Sequence, residues 1–297
     1  MTHSFQRYTA AGNTFILLNT WEDPLSLSRE EMRTFVKKSC DRHEGIGSDG
    51  VILINQSLHA PFRMDFYNPD GSTGMLCGNG SRCAAIAAKD FGYVSEVRTE
   101  FEILGSINVA EFLPTGDVRV YFQDPTIIRL NFSLAIEDKK TTVSYVDLGS
   151  QHVVVLFEEL RQFGEADIET MDVARFGSAI RQNPAFMPVG TNANFIEVRE
   201  DGEEKYLRIR TFERGVEGET LACGTGCMSS AIVARLTGRI SQTPIRLLTQ
   251  SGEFVTVNFI TDEEHVSKLS LEGSVIRGEC GTLSFDEKTG GLDVEYF

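Results

Sequence analysis

Sixteen residues from Cys77, CGNGSRCAAIAAKDFG, lie over sixteen from Cys223, CGTGCMSSAIVARLTG, with seven identities and no gap. The offset is 146 residues, close to half of the 297-residue chain, and Phe66 falls on Phe212 in the same register. Self-similarity at one fixed offset means two homologous halves, each built on the same supersecondary plan. Each CGxG sequence opens a stretch dense in Ala and Ile that closes near a glycine, so the repeat places one cysteine at the mouth of each of two equivalent helices. A site where such halves meet is the natural expectation, because small-molecule sites concentrate between domains.

The rest of the chain reads mainly as strands. Phe62 to Tyr67, Val97 to Leu104, Val118 to Phe122, Lys205 to Phe212, Glu253 to Phe259 and Ser267 to Leu271 carry partial or full period-two alternation between turn residues. Four helices are expected. One spans Ser28 to Ser39, where Ser28 and Glu31 have capping-box spacing and Met32, Phe35 and Val36 share a face. A second starts near Asp172, and two follow the glycine clusters, over Gly78 to Lys89 and Gly224 to Leu236. Strands and helices that do not alternate regularly indicate an α+β fold with largely antiparallel sheets. Division into an N-terminal lobe, 1–140, and a C-terminal lobe, 141–297, follows from the repeat, with the chain end able to pack back on the first lobe.

Composition narrows the function classes. With 28 Lys and Arg against 43 Asp and Glu the net charge is -15, which disfavours nucleic acid as a partner. No apolar run approaches the roughly 18 to 20 residues that span a bilayer, and MTHSFQRYTAAGNTF has no basic segment followed by an apolar one. A cytoplasmic protein with no membrane partner is therefore expected. The six cysteines, Cys40, Cys77, Cys83, Cys223, Cys227 and Cys280, are expected as reduced thiols. No CxxC pair is present, so a structural zinc site is not expected.

The two CGxG segments suit one particular chemistry. Glycines let the backbone approach a ligand closely, and the first N–H groups of a helix form an anion site that a substrate carboxylate fits. The same helix end lowers a thiol pKa, so Cys77 and Cys223 are each expected to reach the thiolate form near neutral pH. Two such groups on opposite sides of one carbon can invert a stereocentre: one thiolate removes a proton and the opposite thiol delivers one to the other face. No cofactor is required for that.

At these residues the chain resembles the diaminopimelate epimerase family. The resemblance covers nearly the whole length through GNTF at Gly12, GIGSDG at Gly45, FYNPDGSTGMLCGNGSRC ending at Cys83, GTNANF at Gly190 and FERGVEGETLACGTG ending at Gly226. It implies two pseudo-symmetric lobes, each a mostly antiparallel sheet wrapped around a central helix. It implies a cofactor-independent, metal-free isomerase that interconverts L,L- and meso-diaminopimelate in lysine and cell-wall precursor synthesis. Cys77 and Cys223 would be its acid/base pair. Gly78 with Asn79, and Gly224 with Thr225, would hold the reacting carboxylate. Asn13, Asn68, Asn192 and Arg214 match substrate-gripping positions, Glu213 would take the distal ammonium, and His152 and Glu213 would tune the thiols. A small-molecule amino-acid substrate is the implied partner, and a homodimer is a family-level expectation.

Three departures bear on substrate recognition. Where the family commonly has Gly-Asn-Pro-His, this chain has Gly149, Ser150, Gln151 and His152. Gly50 stands where some members have Gln, and ERGVEGET is one residue longer than the common ERGxGET, with Glu217 as the candidate insertion. A racemase of another amino acid using the same thiols is therefore a rival, as is a redox-responsive thiol protein or a non-catalytic binding module.

Overall fold

Ser28 and Glu31 form a full capping box at the start of α1 (Arg29–Cys40), each side chain taking the other's backbone N–H. In the computed structural model, which describes residues 2–73, 77–262, 265–286 and 289–297, the other three helices also begin where the sequence places them. They are α2 (Gly78–Asp90), α3 (Val173–Arg181) and α4 (Gly224–Leu236), with Asp172 as the N-cap of α3. Among the described residues no helix is long and apolar enough to cross a membrane.

The chain forms two compact units, Met1–Val120 with Gly273–Phe297, and Tyr121–Glu272. In the first, β1 (Thr2–Ala10), β2 (Asn13–Asn19), β3 (Val51–Asn55), β4 (Arg63–Tyr67), β5 (Arg98–Ile103) and β6 (Ser106–Phe112) are neighbours in that order. Two of these pairs, β2 with β3 and β4 with β5, are parallel. Parallel neighbours need a crossover connection, and α1 and α2 supply the two. The strand β7 (Val118–Tyr121) ends this stretch of chain.

The second unit repeats the plan. Its strands are β8 (Ile127–Ile136), β9 (Lys139–Asp147), β10 (Gln151–Leu156), β11 (Asn192–Asp201), β12 (Glu204–Glu213), the short β13 (Gly218–Thr220), β14 (Ile245–Leu248), β15 (Phe254–Asp262) and β16 (His265–Gly273). Here β10 with β11 and β12 with β14 are the parallel pairs, and α3 and α4 are the crossovers. The pairs β8 with β9, β9 with β10, β11 with β12, β12 with β13, β14 with β15 and β15 with β16 are antiparallel.

In the last part of the chain, β17 (Ile276–Asp286) pairs antiparallel with both β1 and β18 (Gly291–Tyr296). The strand β17 lies beside β1 as β8 lies beside β9, so the pairing senses of the two units match strand for strand. In its contacts the chain divides after Val120 and after Glu272. The place that β8 takes beside β9 is taken beside β1 by β17, which pairs in turn with β18.

In each unit the second crossover helix is nearly all buried. Gly78 through Ala88 of α2 pack on β1 to β4, and Gly226 through Ala234 of α4 pack on β9 to β12, β14 and β15. Ala, Ser and Gly make these helices thin enough for a sheet to curve around them. The first crossover helix closes an outer layer. Phe35 and Val36 of α1 join Ile16, Leu18, Val51 and Phe285, while Phe176 and Ile180 of α3 join Val153, Val155, Phe195 and Phe212.

Candidate active site

Cys77 and Cys223 are the N-cap residues of α2 and α4, with nearly identical extended backbones, φ -110, ψ 111 and φ -115, ψ 111. The repeat therefore extends to the geometry of the two cysteines. All six cysteines are thiols, and among the described residues no three His, Cys, Asp or Glu side chains gather as a metal site requires.

In the first unit the Gly80 N–H donates to Cys77 Sγ at 3.4 Å. Asn79, one residue into the helix, is buried. Its Nδ2 donates to Asn13 Oδ1 at 2.7 Å, and its Oδ1 accepts from Arg82 Nη2 at 2.9 Å. Asn13 reaches it from the start of β2, just after Ala11 and Gly12 reverse the chain with φ of 49 and 81. Asn13, Cys77, Gly78 and Asn79 are thus gathered at one helix end, with Arg82 as an unforeseen support. Asn68 lies in a turn, where its Nδ2 donates to Ser72 Oγ at 3.0 Å and its carbonyl accepts from Gly71 N–H at 2.8 Å. A side chain at Gly50 would meet the Phe66 ring at 2.4 Å, so the space that a Gln would need is filled here by Phe66.

In the second unit the ends of three strands converge. The register sets His152 of β10 beside Asn192 of β11, and β12 delivers Glu213 and then Arg214 next to them. Asn192 ties these ends together: its Nδ2 donates to Ser150 Oγ at 3.1 Å and to Gln151 O at 2.9 Å, and its Oδ1 accepts from Arg214 N–H at 2.8 Å. Arg214 Nη1 donates to Gln151 Oε1 at 2.9 Å. Gln151, standing where the family commonly has proline, thus places a side-chain amide at the site although Ser150 lacks one.

The chain between Glu213 and Cys223 is held from both sides. Glu219 pairs with the buried Arg210 through two hydrogen bonds of 2.7 and 2.6 Å, and Arg210 Nη1 donates in turn to the carbonyls of Ile168, Glu169 and Met171. Glu217 adopts φ 56 and accepts from Arg181 Nε at 3.1 Å and from Gly215 N–H at 3.2 Å. The candidate extra residue therefore closes the turn that carries Arg214.

Two titrating groups lie close to Cys223. His152 is fully buried, and burial with the nearby Arg214 guanidinium lowers its pKa from 6.5 to about 3, so the ring is neutral. Burial raises the Glu213 carboxyl above its ordinary value. Burial, followed by the Glu213 carboxylate, pushes the Cys223 thiol well above its ordinary range, against the Thr225 hydroxyl 3.5 Å from the sulfur. This corrects the expectation that Cys223 reaches the thiolate form near neutral pH. The helix end is present, but desolvation and a like charge outweigh it, and Cys223 holds its proton.

Besides Arg82, three residues went unforeseen: Asn194, Thr211 and Gln151. Asn194 is fully buried and bonded to His152, and its signal was available, because Asn192 and Asn194 stand two apart in GTNANF and so project to one side of a strand.

The family profile described as diaminopimelate epimerase matches residues 5–128 and 144–275. The diaminopimelate epimerase of Aquifex aeolicus is 36% identical over 288 residues, covering 94% of this chain and 97% of that protein. That of Gemmatimonas aurantiaca is 32% identical over 293 residues, covering 97% and 100%. Among solved structures, a phenazine biosynthesis protein of the PhzF family from Bacillus anthracis matches with a TM-score of 0.74 at 16% identity, over 96% of this chain and 100% of that one. A hydroxyproline epimerase from Agrobacterium vitis matches at 0.68 and 14%, over 97% and 94%. At such identities the structures establish a shared fold, while the sequence matches reach further: this chain belongs to the diaminopimelate epimerase family.

Proposed function

We propose that the chain is a cofactor-independent epimerase interconverting L,L-diaminopimelate and meso-diaminopimelate, with Cys77 and Cys223 exchanging the α-proton. One observation carries the reading: a cysteine N-cap occurs twice, on two homologous helices, in a member of this family. The α-carboxylate would bind the helix-end N–H groups at Gly78 and Asn79 and at Gly224 and Thr225. Those groups would also stabilise the negative charge that develops when the α-proton leaves. In one direction the Cys77 thiolate takes the α-proton and the Cys223 thiol gives its own to the opposite face, leaving Cys77 protonated and Cys223 ionised. The reverse direction starts from that form. The raised pKa of Cys223 suits it to be the proton donor of the resting enzyme.

The distal, L-configured centre would be read by Asn192, Glu213 and Arg214, the guanidinium suiting a carboxylate in a two-point grip. Asn68 would add to this through its Oδ1 and second amide N–H, since the bond to Ser72 uses one donor. A cytoplasmic place in lysine and cell-wall precursor synthesis, as a homodimer, completes the proposal. Ser150, in place of the family's Asn, favours one rival, a racemase of a different amino acid. Proton NMR of the reduced protein in D2O separates the two. Loss of the α-proton signal with L,L-diaminopimelate, with meso product forming, supports the proposal. Exchange with glutamate or histidine instead moves the function to the rival.

A further inference from the structure

A chain of buried hydrogen bonds leads from β11 to Cys223, and its direction can be worked out atom by atom. Asn194 lies 3.0 Å from the carbonyl of Val153 through its Nδ2. A carbonyl only accepts, so the amide nitrogen faces that way, and Asn194 Oδ1 accepts from Thr211 Oγ1 at 3.1 Å. The same Nδ2 is 3.2 Å from His152 Nδ1. A ring nitrogen facing an N–H donor must itself be the acceptor, so in the neutral ring the proton sits on Nε2. His152 Nε2 is 2.9 Å from Thr225 Oγ1, which therefore accepts, and the Thr225 hydroxyl hydrogen is available to Cys223 Sγ at 3.5 Å. Asn192 Nδ2 also approaches His152 Nε2, but at 3.5 Å, and its N–H groups are directed to Ser150 and Gln151.

We infer that Asn194 is a positioning residue for Cys223: it fixes His152 in the Nε2–H tautomer and so turns the Thr225 hydroxyl hydrogen toward the sulfur. The packing supports this. A Cβ on Gly226, in the first turn of α4, would fall 2.3 Å from Asn194 Oδ1, so the second glycine of CGTG makes room for this amide. At the corresponding places the first unit is apolar. Beside Gly80, the counterpart of Gly226, stands Ile52 where Asn194 stands in the second unit, and the strand register then gives Phe15 the place of His152. The device thus belongs to one thiol of the pair. The catalytic meaning of the inference rests on the proposal that Cys223 exchanges protons with substrate.

The test needs no substrate, so it stands or falls separately from that proposal. In the full reduced chain labelled with 15N-histidine, long-range proton–nitrogen correlation reads the His152 tautomer, with His152→Gln giving the assignment. The expected result is the Nε2–H form throughout the neutral range; an Nδ1–H form in the wild type overturns the inference even if no variant folds. The second reading is thiolate absorbance of Cys223 against pH in a Cys77→Ala background, where Glu213, Arg214 and Cys227 are the other charged or titrating groups near His152 and Cys223. Asn194→Leu releases the ring and is expected to move Cys223 ionisation up by about one pH unit. A variant with a changed tautomer and unchanged Cys223 ionisation overturns the inference as well.

Discussion

Gln151 Oε1 accepts a hydrogen bond from Arg214 Nη1 at 2.9 Å, while Gln151 Nε2 donates to Asp147 at 3.3 Å. The amide thus fixes one edge of the guanidinium proposed to hold the distal carboxylate. Gln151→Ala is expected to raise KM for diaminopimelate about tenfold, the loss of one hydrogen bond to a charged group, and to leave kcat within about threefold. Steady-state kinetics with a fall in kcat at unchanged KM would place Gln151 in the chemistry instead.

The Cys223 thiol is raised by burial and then by Glu213. Removing that negative charge lowers the cost of a thiolate, so Glu213→Gln is expected to shift Cys223 ionisation to lower pH. Thiolate absorbance in a Cys77→Ala background checks it; a shift to higher pH would mean that Glu213 acts as a hydrogen-bonding partner rather than as a like charge.

His152 titrates near 6.5 when unfolded and at about 3 in the fold. Between these values the unfolded chain binds the extra proton, so this residue removes stability as pH falls from 6.5 toward 3, by at most about 1.4 kcal/mol per pH unit. Nothing is lost from this source above pH 6.5. Denaturant midpoints measured from neutral to acid pH should fall less steeply in His152→Gln than in the wild type; equal slopes would mean that the ring is already protonated in the fold.

Glu219 and Arg210 form a two-point pair whose cation is buried. Glu219→Gln leaves that cation short of its counter-charge and is expected to cost about 2 to 3 kcal/mol, read from urea denaturation. KM should rise in the same variant because the turn bearing Arg214 loses its anchor. Wild-type stability would show that the carbonyls of Ile168, Glu169 and Met171 suffice for Arg210.

All four helices were legible in the sequence because their signals are local: a capping box at Ser28, Asp172, and two CGxG caps. Strands with one wet face, such as β5 and β15, were legible by alternation. The strands β2, β3, β10 and β11 were not, since Phe15 to Leu18, Val51 to Ile54, His152 to Val155 and Asn192 to Ile196 are buried without a break. A strand covered on both faces has no period to read. Those same strands make two of the four parallel pairs, the ones that α1 and α3 connect, so the crossover role of these helices went unseen too. At the site, motifs pointed to the cysteines, to Asn13 with Asn79, and to the His152, Asn192 and Arg214 cluster. The raised pKa of Cys223 was hidden because the helix end is visible in sequence, whereas the burial and the approach of Glu213 come only with the fold. Gln151 was hidden for a simpler reason: the family position it occupies is usually a proline, which offers no side-chain donor or acceptor.

The most direct test of exchange by two thiols on opposite faces is deuterium incorporation in the first turnovers of L,L-diaminopimelate in D2O. Two opposed thiols deliver a solvent deuteron to nearly every product molecule while the remaining substrate keeps its α-proton. Deuterium entering the remaining substrate as fast as the product would mean that one group serves both faces, and the assignment of Cys77 and Cys223 as a pair would be wrong.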